Sequence, residues 1–66
     1  MDVNINGKQR ALEGNASVGD LLRQLDLAPV RVAVEVNKDL VKRSRFDETV
    51  LCDGDSIEIV TFVGGG

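Results

Sequence analysis

The chain has 66 residues and a formal net charge of −3, with 42% hydrophobic and 29% charged residues, so it should form one small domain that buries about 60% of its unfolded surface around a single core. One cysteine and no histidine exclude a disulfide framework, a cysteine-based zinc site and the usual general base. The acidic balance, with two phenylalanines as the only aromatics, argues against nucleic acid as a partner, and the lack of a ~20-residue apolar run or a charged-then-apolar leader predicts a cytoplasmic protein with no membrane segment.

At the start, Val3 and Ile5 alternate with Asp2, Asn4 and Asn6, the period of a half-buried strand. Asn6-Gly7 supplies the positive φ angles of a tight hairpin, and Lys8 to Leu12 reads as the returning strand. The period then changes. Ser17 followed by Asp20 is a shortened capping-box pattern, and Val18, Leu21, Leu22 and Leu25 fall on one stripe of a helix. Gly19 lowers the propensity of the first turn without cancelling the stripe. Ala28-Pro29 predicts the helix end, because proline disfavours helix in the residue before it.

Val32, Val34 and Val36 alternate with Arg31, Ala33 and Glu35 and predict a third strand. Asn37, Lys38 and Asp39 read as a turn, and Leu40-Val41 as a short paired segment. Residues 42–51 read as irregular, with Phe46 anchored in the core. After the turn Asp53-Gly54-Asp55, Ile57, Ile59 and Thr61 alternate with Glu58, Val60 and Phe62 in a last strand. The order β-β-α-β-β-β predicts an α+β fold, a mixed sheet of four to five strands with one helix across it. The first and last strands are expected side by side at its centre. The domain is placed at residues 1–63, followed by a flexible glycine tail at 64–66.

Candidate sites divide into bland and functional readings. Cys52 sits between Leu51 and Asp53, with no adjacent cation to favour a thiolate, and reads as a spectator thiol. Asp47, Glu48, Asp53 and Asp55 lack the oxygen-ligand spacing of a calcium loop, and Asp and Gly serve turns for backbone reasons. No metal site is expected. Lys38, Lys42, Arg43 and Arg45 form a basic stretch that serves either as a solvated sheet edge resisting aggregation or as a dock for an acidic partner.

The tail Gly64-Gly65-Gly66 adds nothing to a core. Without Cβ atoms it can thread a channel too narrow for other residues, and its α-carboxylate is ionised at neutral pH. That carboxylate is a weak nucleophile, able to attack the α-phosphate of ATP if another protein supplies nucleotide, metal ion and charge stabilisation. Chemistry would then be done on this chain rather than by it.

With "VAVEVN", "DGDSIEIV" and the terminal "FVGGG" in this order of elements, the whole chain resembles the ThiS family of sulfur carrier proteins of thiamine biosynthesis. The resemblance implies a ubiquitin-like β-grasp fold and no enzymatic activity. It implies that Gly66 is adenylated by an E1-like adenylyltransferase and converted to a thiocarboxylate, with Gly65 and Gly64 threading behind it. It further implies that sulfur comes from cysteine through a desulfurase system and passes to thiazole synthase. No cofactor would be bound; ATP and Mg²⁺ come with the activating enzyme. Family members commonly place a proline before the arginine that follows the fourth strand, and an aromatic, often tryptophan, shortly beyond. This chain has Lys42 before Arg43 and then Phe46, which bears on local packing and on docking through Arg43. Val60 and Phe62, opposite the helix-facing Ile57 and Ile59, are the other docking candidates; the bland alternative is that one of them covers a sheet edge.

Two other classes remain open on the residues alone. One is a sulfur carrier for molybdopterin, tRNA thiolation or cysteine synthesis. The other is a ubiquitin-like modifier or plain binding module.

Overall fold

The computed structural model describes residues 1–62. Six regular elements follow in chain order: β1 (Asp2–Ile5), β2 (Lys8–Ala11), α1 (Val18–Gln24), β3 (Val32–Val36), β4 (Asp39–Val41) and β5 (Ser56–Thr61). All five strands share one sheet in the order β2-β1-β5-β3-β4. Only the β1–β5 pair is parallel; the other neighbours run antiparallel. The last strand therefore occupies the middle of the sheet with the first strand beside it, as the sequence predicts.

The hairpin between β1 and β2 turns on Asn6 (φ 51°) and Gly7 (φ 84°), both positive as a type I′ turn requires. Asn37 (φ 52°) and Lys38 (φ 72°) do the same between β3 and β4 without a glycine. Asn37 is held by its own side chain: Oδ1 accepts from the Ser56 N–H at 2.9 Å, and Nδ2 donates to Asp55 at 2.9 Å. Such bonds help a short polar side chain tolerate the left-handed region.

The helix has seven residues, too few to persist alone in water, so its caps and its packing hold it. The capping box is complete. Ser17 Oγ accepts from the Asp20 N–H and Asp20 Oδ2 accepts from the Ser17 N–H, each at 3.0 Å. The two remaining free donors of the first turn go to the loop before β5: Val18 N–H to the Thr49 carbonyl at 2.9 Å, and Gly19 N–H to the Phe46 carbonyl at 3.0 Å. A Cβ at Gly19 would overlap the exposed Asp47 carboxylate, so a side chain there would push that carboxylate off Arg23.

The expected helix end at Ala28-Pro29 is not observed. The helix stops at Gln24, and the chain leaves through Asp26 in the left-handed region (φ 58°). Leu27 N–H reaches back to the Leu22 carbonyl at 2.9 Å and Asp26 N–H to the Arg23 carbonyl at 3.1 Å. These two bonds make a Schellman motif with aspartate where glycine is usual. Pro29 instead begins a 3₁₀ turn, Pro29–Arg31, and a second one, Arg43–Arg45, lies within the stretch expected to be irregular.

One core lies between α1 and the sheet. Val18, Leu21 and Leu22 from the helix meet Val3, Val34, Ile57 and Ile59 from the strands. Leu12, Phe46 and Leu51 close the margins, so Phe46 anchors its loop as expected. Each large side chain buried here contributes roughly 1.5–3 kcal/mol of transfer free energy. Leu25 is only partly buried and Thr61 is exposed, although both are in phase with their stripes. Leu25 caps the helix end, and Thr61 ends the strand beyond the reach of α1.

Candidate functional site

The strand that leads to the tail is paired on both of its edges. On one side β5 pairs with β3 over five successive residues, from Val36↔Ile57 to Val32↔Thr61. The pairing continues past the strand, where Phe62 N–H donates to the Arg31 carbonyl at 2.8 Å. On the other side β5 meets β1 at Asn4↔Ser56 and Ile5↔Ile57. Where β1 turns away, the Asn6 side chain replaces it. Its Oδ1 accepts from the Ile59 N–H at 2.8 Å and its Nδ2 donates to the Ile59 carbonyl at 3.1 Å. A side-chain amide thus supplies the next rung of a parallel ladder, leaving Ile59 satisfied on the edge that β1 vacates.

The pleat of β5 sends Ile57 and Ile59 into the core and Glu58 and Val60 to the opposite face. Val60 is 60% exposed and Phe62 48% exposed. Arg43 lies in the 3₁₀ turn that follows β4, the edge strand two places from β5. The register Val34↔Val41 and Val32↔Thr61 puts this turn at the same end of the sheet as Phe62, but across the width of β3 and β4. Val60 and Phe62 are therefore close together, and Arg43 is apart from them. Gly64, Gly65 and Gly66, with Val63 before them, lie outside the described residues.

The other candidates take structural roles. Asp53 accepts from the Asp2 N–H at 2.7 Å, Gly54 (φ 86°) donates to the Asp2 carbonyl at 2.7 Å, and Asp55 accepts from the Cys52 N–H at 2.7 Å. The Asp-Gly-Asp turn thus ties the start of β1 to the start of β5. Among the described residues no group of three or more histidine, cysteine or acidic side chains is arranged to hold a metal ion. Cys52 is exposed. Lys38 and Lys42 flank the edge strand β4, while Arg45 pairs with Glu48 at 3.6 Å.

The open hollow beside the start of α1, lined by Ser17, Asp20, Arg23 and Asp47, is spanned by its own charges. Arg23 reaches Asp20 at 2.8 Å and Asp47 at 3.4 Å. The Ser17 N–H and then the Arg23 guanidinium hold the Asp20 carboxyl below its ordinary value of 3.8. Asp20 in turn raises Arg23. This hollow fastens the helix to its loop. Sequence reasoning missed the rung made by Asn6, and the only signal for it was an asparagine at the first position of a turn beside a strand end.

The ThiS family model matches residues 3–66. The chain belongs to the ThiS family. It is 43% identical over 63 residues to the sulfur carrier protein ThiS of Bacillus subtilis, covering 94% of this chain and 96% of that one. It is also 41% identical over 66 residues to a thiazole synthase of Magnetococcus marinus, and all of this chain spans 20% of that protein's length. A thiazole synthase of Paramagnetospirillum magneticum matches in the same way, again over 20% of its length. The crystal structure of the thiamine biosynthesis protein ThiS from Geobacter metallireducens superposes with a TM-score of 0.84 at 38% identity, covering both chains completely. The ubiquitin-like β-grasp expected of this ThiS-family chain is the fold observed. No helix among the described residues is long and apolar enough to cross a membrane.

Proposed function

We propose that the protein is a sulfur carrier for thiazole formation in thiamine biosynthesis, acting as a co-substrate rather than an enzyme. The observation that carries this reading is the central β5, paired on both sides and bonded as far as Phe62, which gives the glycine tail a fixed origin. The full-length likeness to a sulfur carrier supplies the chemistry. A carboxylate oxygen of Gly66 attacks the α-phosphorus of ATP on an E1-like adenylyltransferase, and pyrophosphate leaves. The terminal sulfur of a persulfide, formed from cysteine by a desulfurase system, then displaces AMP to give an acyl disulfide. A thiol that attacks the outer sulfur leaves as a disulfide and releases the terminal thiocarboxylate. Mg²⁺ and the stabilising cations belong to the activating enzyme.

Thiazole synthase is the acceptor this reading favours. Two thiazole synthases carry a stretch like this chain within their own length, and joining carrier to acceptor raises their effective concentration. Val60 and Phe62 form the docking patch nearest the tail, and Gly64 and Gly65 pass through the partner's channel. Arg43, at the same sheet end, is a more distant contact.

Intact mass after incubation with the cognate adenylyltransferase, ATP and a cysteine-derived sulfur source tests this. The expected result is a gain equal to replacing one oxygen by sulfur, absent when Gly66 is deleted. The reading requires a free carboxylate on Gly66, which the same spectrum reads. An unchanged mass with an active enzyme would overturn it, and conjugates to lysines would point to a protein modifier.

A further inference from the structure

The sheet face away from α1 carries a feature that folding alone does not explain. The register sets Glu35 of β3 directly opposite Glu58 of β5, and Leu40 of β4 opposite Glu35. One row across the face therefore reads Leu40–Glu35–Glu58. The next row pairs Ala33 with Val60, and Phe62 follows beyond it. Like charges directly opposite on neighbouring strands destabilise a sheet. Among the described residues neither glutamate takes part in an ion pair. Both are exposed, as are Leu40 (69%), Val60 and Phe62. Two carboxylates are thus set between apolar side chains on a sheet face that no element among the described residues covers.

The composition of this face restricts what can cover it. A purely apolar partner would bury two charges without compensation, at a cost that apolar contact does not recover. A purely basic partner would leave Leu40, Val60 and Phe62 without contacts. An arginine set among apolar side chains satisfies both demands. Its planar guanidinium can hydrogen-bond carboxylates on two adjacent strands, while its flat face lies against an aliphatic or aromatic neighbour. The geometry points to Glu35 and Glu58 as the specificity-determining centre of a docking face for the activating enzyme, whose surface presents an arginine or lysine flanked by apolar residues. This rests on the carrier reading above, since Phe62 is the last described residue before the tail that such an enzyme must receive. The acid pair decides which protein is gripped, and the apolar residues around it exclude water from the contact.

The test compares two doubly substituted full-length chains, E35Q/E58Q on the face and E13Q/E48Q in loops outside the sheet. Each removes two negative charges, so long-range attraction changes equally. Kd for the cognate E1-like adenylyltransferase is measured by calorimetry at low and moderate salt, with melting temperature as the control for folding. The face variant should bind at least about tenfold more weakly, with a flatter salt dependence. It should melt at or above the wild-type temperature, because a like-charge pair is gone. The loop variant should stay within about twofold of wild type. Equal weakening by both pairs, weakening by neither, or no binding of the wild-type chain would overturn the proposal. A wild-type chain that binds without gaining mass would sink the carrier reading and leave the docking face standing. Normal mass gain with unchanged Kd in E35Q/E58Q would do the reverse.

Discussion

Beneath α1 the sheet presents Val3, Val34, Ile57 and Ile59, all buried, whereas the next residues along β3 and β5 present Glu35, Glu58 and Val60 to water. Both faces come from the same alternation, and both include β-branched residues. They differ in what covers them. The covered face is closed by the helix stripe and by Phe46 and Leu51, so each of its side chains is fixed by the packing of its neighbours. The other face combines exposed apolar groups with a like-charge pair, an arrangement that does not favour the isolated fold. Stability in this molecule is thus concentrated on one side of the sheet, and the docking proposed above falls on the other.

Substitutions can break this contrast. The largest effect is expected at Ile57, fully buried in the central strand. Ile57→Ala should cost about 2–5 kcal/mol in a urea titration, a large share of what so small a domain possesses. A loss below about 1 kcal/mol would show that the covered face is less tightly packed than the contacts imply. Next comes Asn6→Ala, which removes both side-chain bonds to Ile59 and puts alanine at a positive φ. A cost of about 1–3 kcal/mol is expected, with faster hydrogen exchange at the Ile59 amide. Unchanged exchange there would mean that the rung does not hold β5.

Ser17→Ala should cost about 0.5–2 kcal/mol through the lost cap. The same cap sets an acid dependence. Asp20 has a folded value depressed below its ordinary 3.8 by the Ser17 N–H and then by Arg23. Its contribution is complete above the unfolded value and is lost as pH falls through the lower folded one. Asp20→Asn should therefore flatten the stability curve below about pH 4, and a curve as steep as wild type would remove Asp20 from the account. The smallest stability effect is expected on the open face, where Val60→Ser should stay within about 0.5 kcal/mol. That variant should nonetheless slow the mass gain on activation, and a rate equal to wild type would take Val60 out of the docking patch.

Much of this is legible in the sequence. Asn-Gly fixed the first hairpin, Ser17 and Asp20 announced the helix start, and the alternation of Ile57 and Ile59 oriented β5. These signals are local, and each depends on a residue's own backbone preference or on a fixed period. The helix end departs from the expectation because proline is a strong general stop signal, while aspartate in the left-handed region stops a helix only when Leu27 can fold back onto Leu22. That bond depends on Leu27 having a core to enter. Propensity shows Gly19 only as a cost, whereas the neighbour that a side chain there would displace, Asp47, is distant in sequence and arrives with the loop. The glutamate pair was invisible for the same reason: Glu35 and Glu58 are 23 positions apart, and only the register of β3 with β5 sets them opposite. The tail, which carries the proposed chemistry, is legible only through its composition and the family resemblance.

The asparagine rung also bears on how the molecule ages. Asn6 precedes Gly7, whose nitrogen has no side chain beside it to hinder attack on the asparagine side-chain carbonyl, the first step of amide hydrolysis. In the folded protein that amide is held by two bonds to Ile59. In the unfolded chain it is free to turn and react. A molecule in which the amide has become a carboxylate has an acceptor where Nδ2 donated, facing the carbonyl of Ile59. The resulting repulsion falls on the strand that anchors the tail. Each excursion out of the native state thus risks a change that weakens the next return to it, and the loss of ammonia at Asn6 would record how often this chain has unfolded.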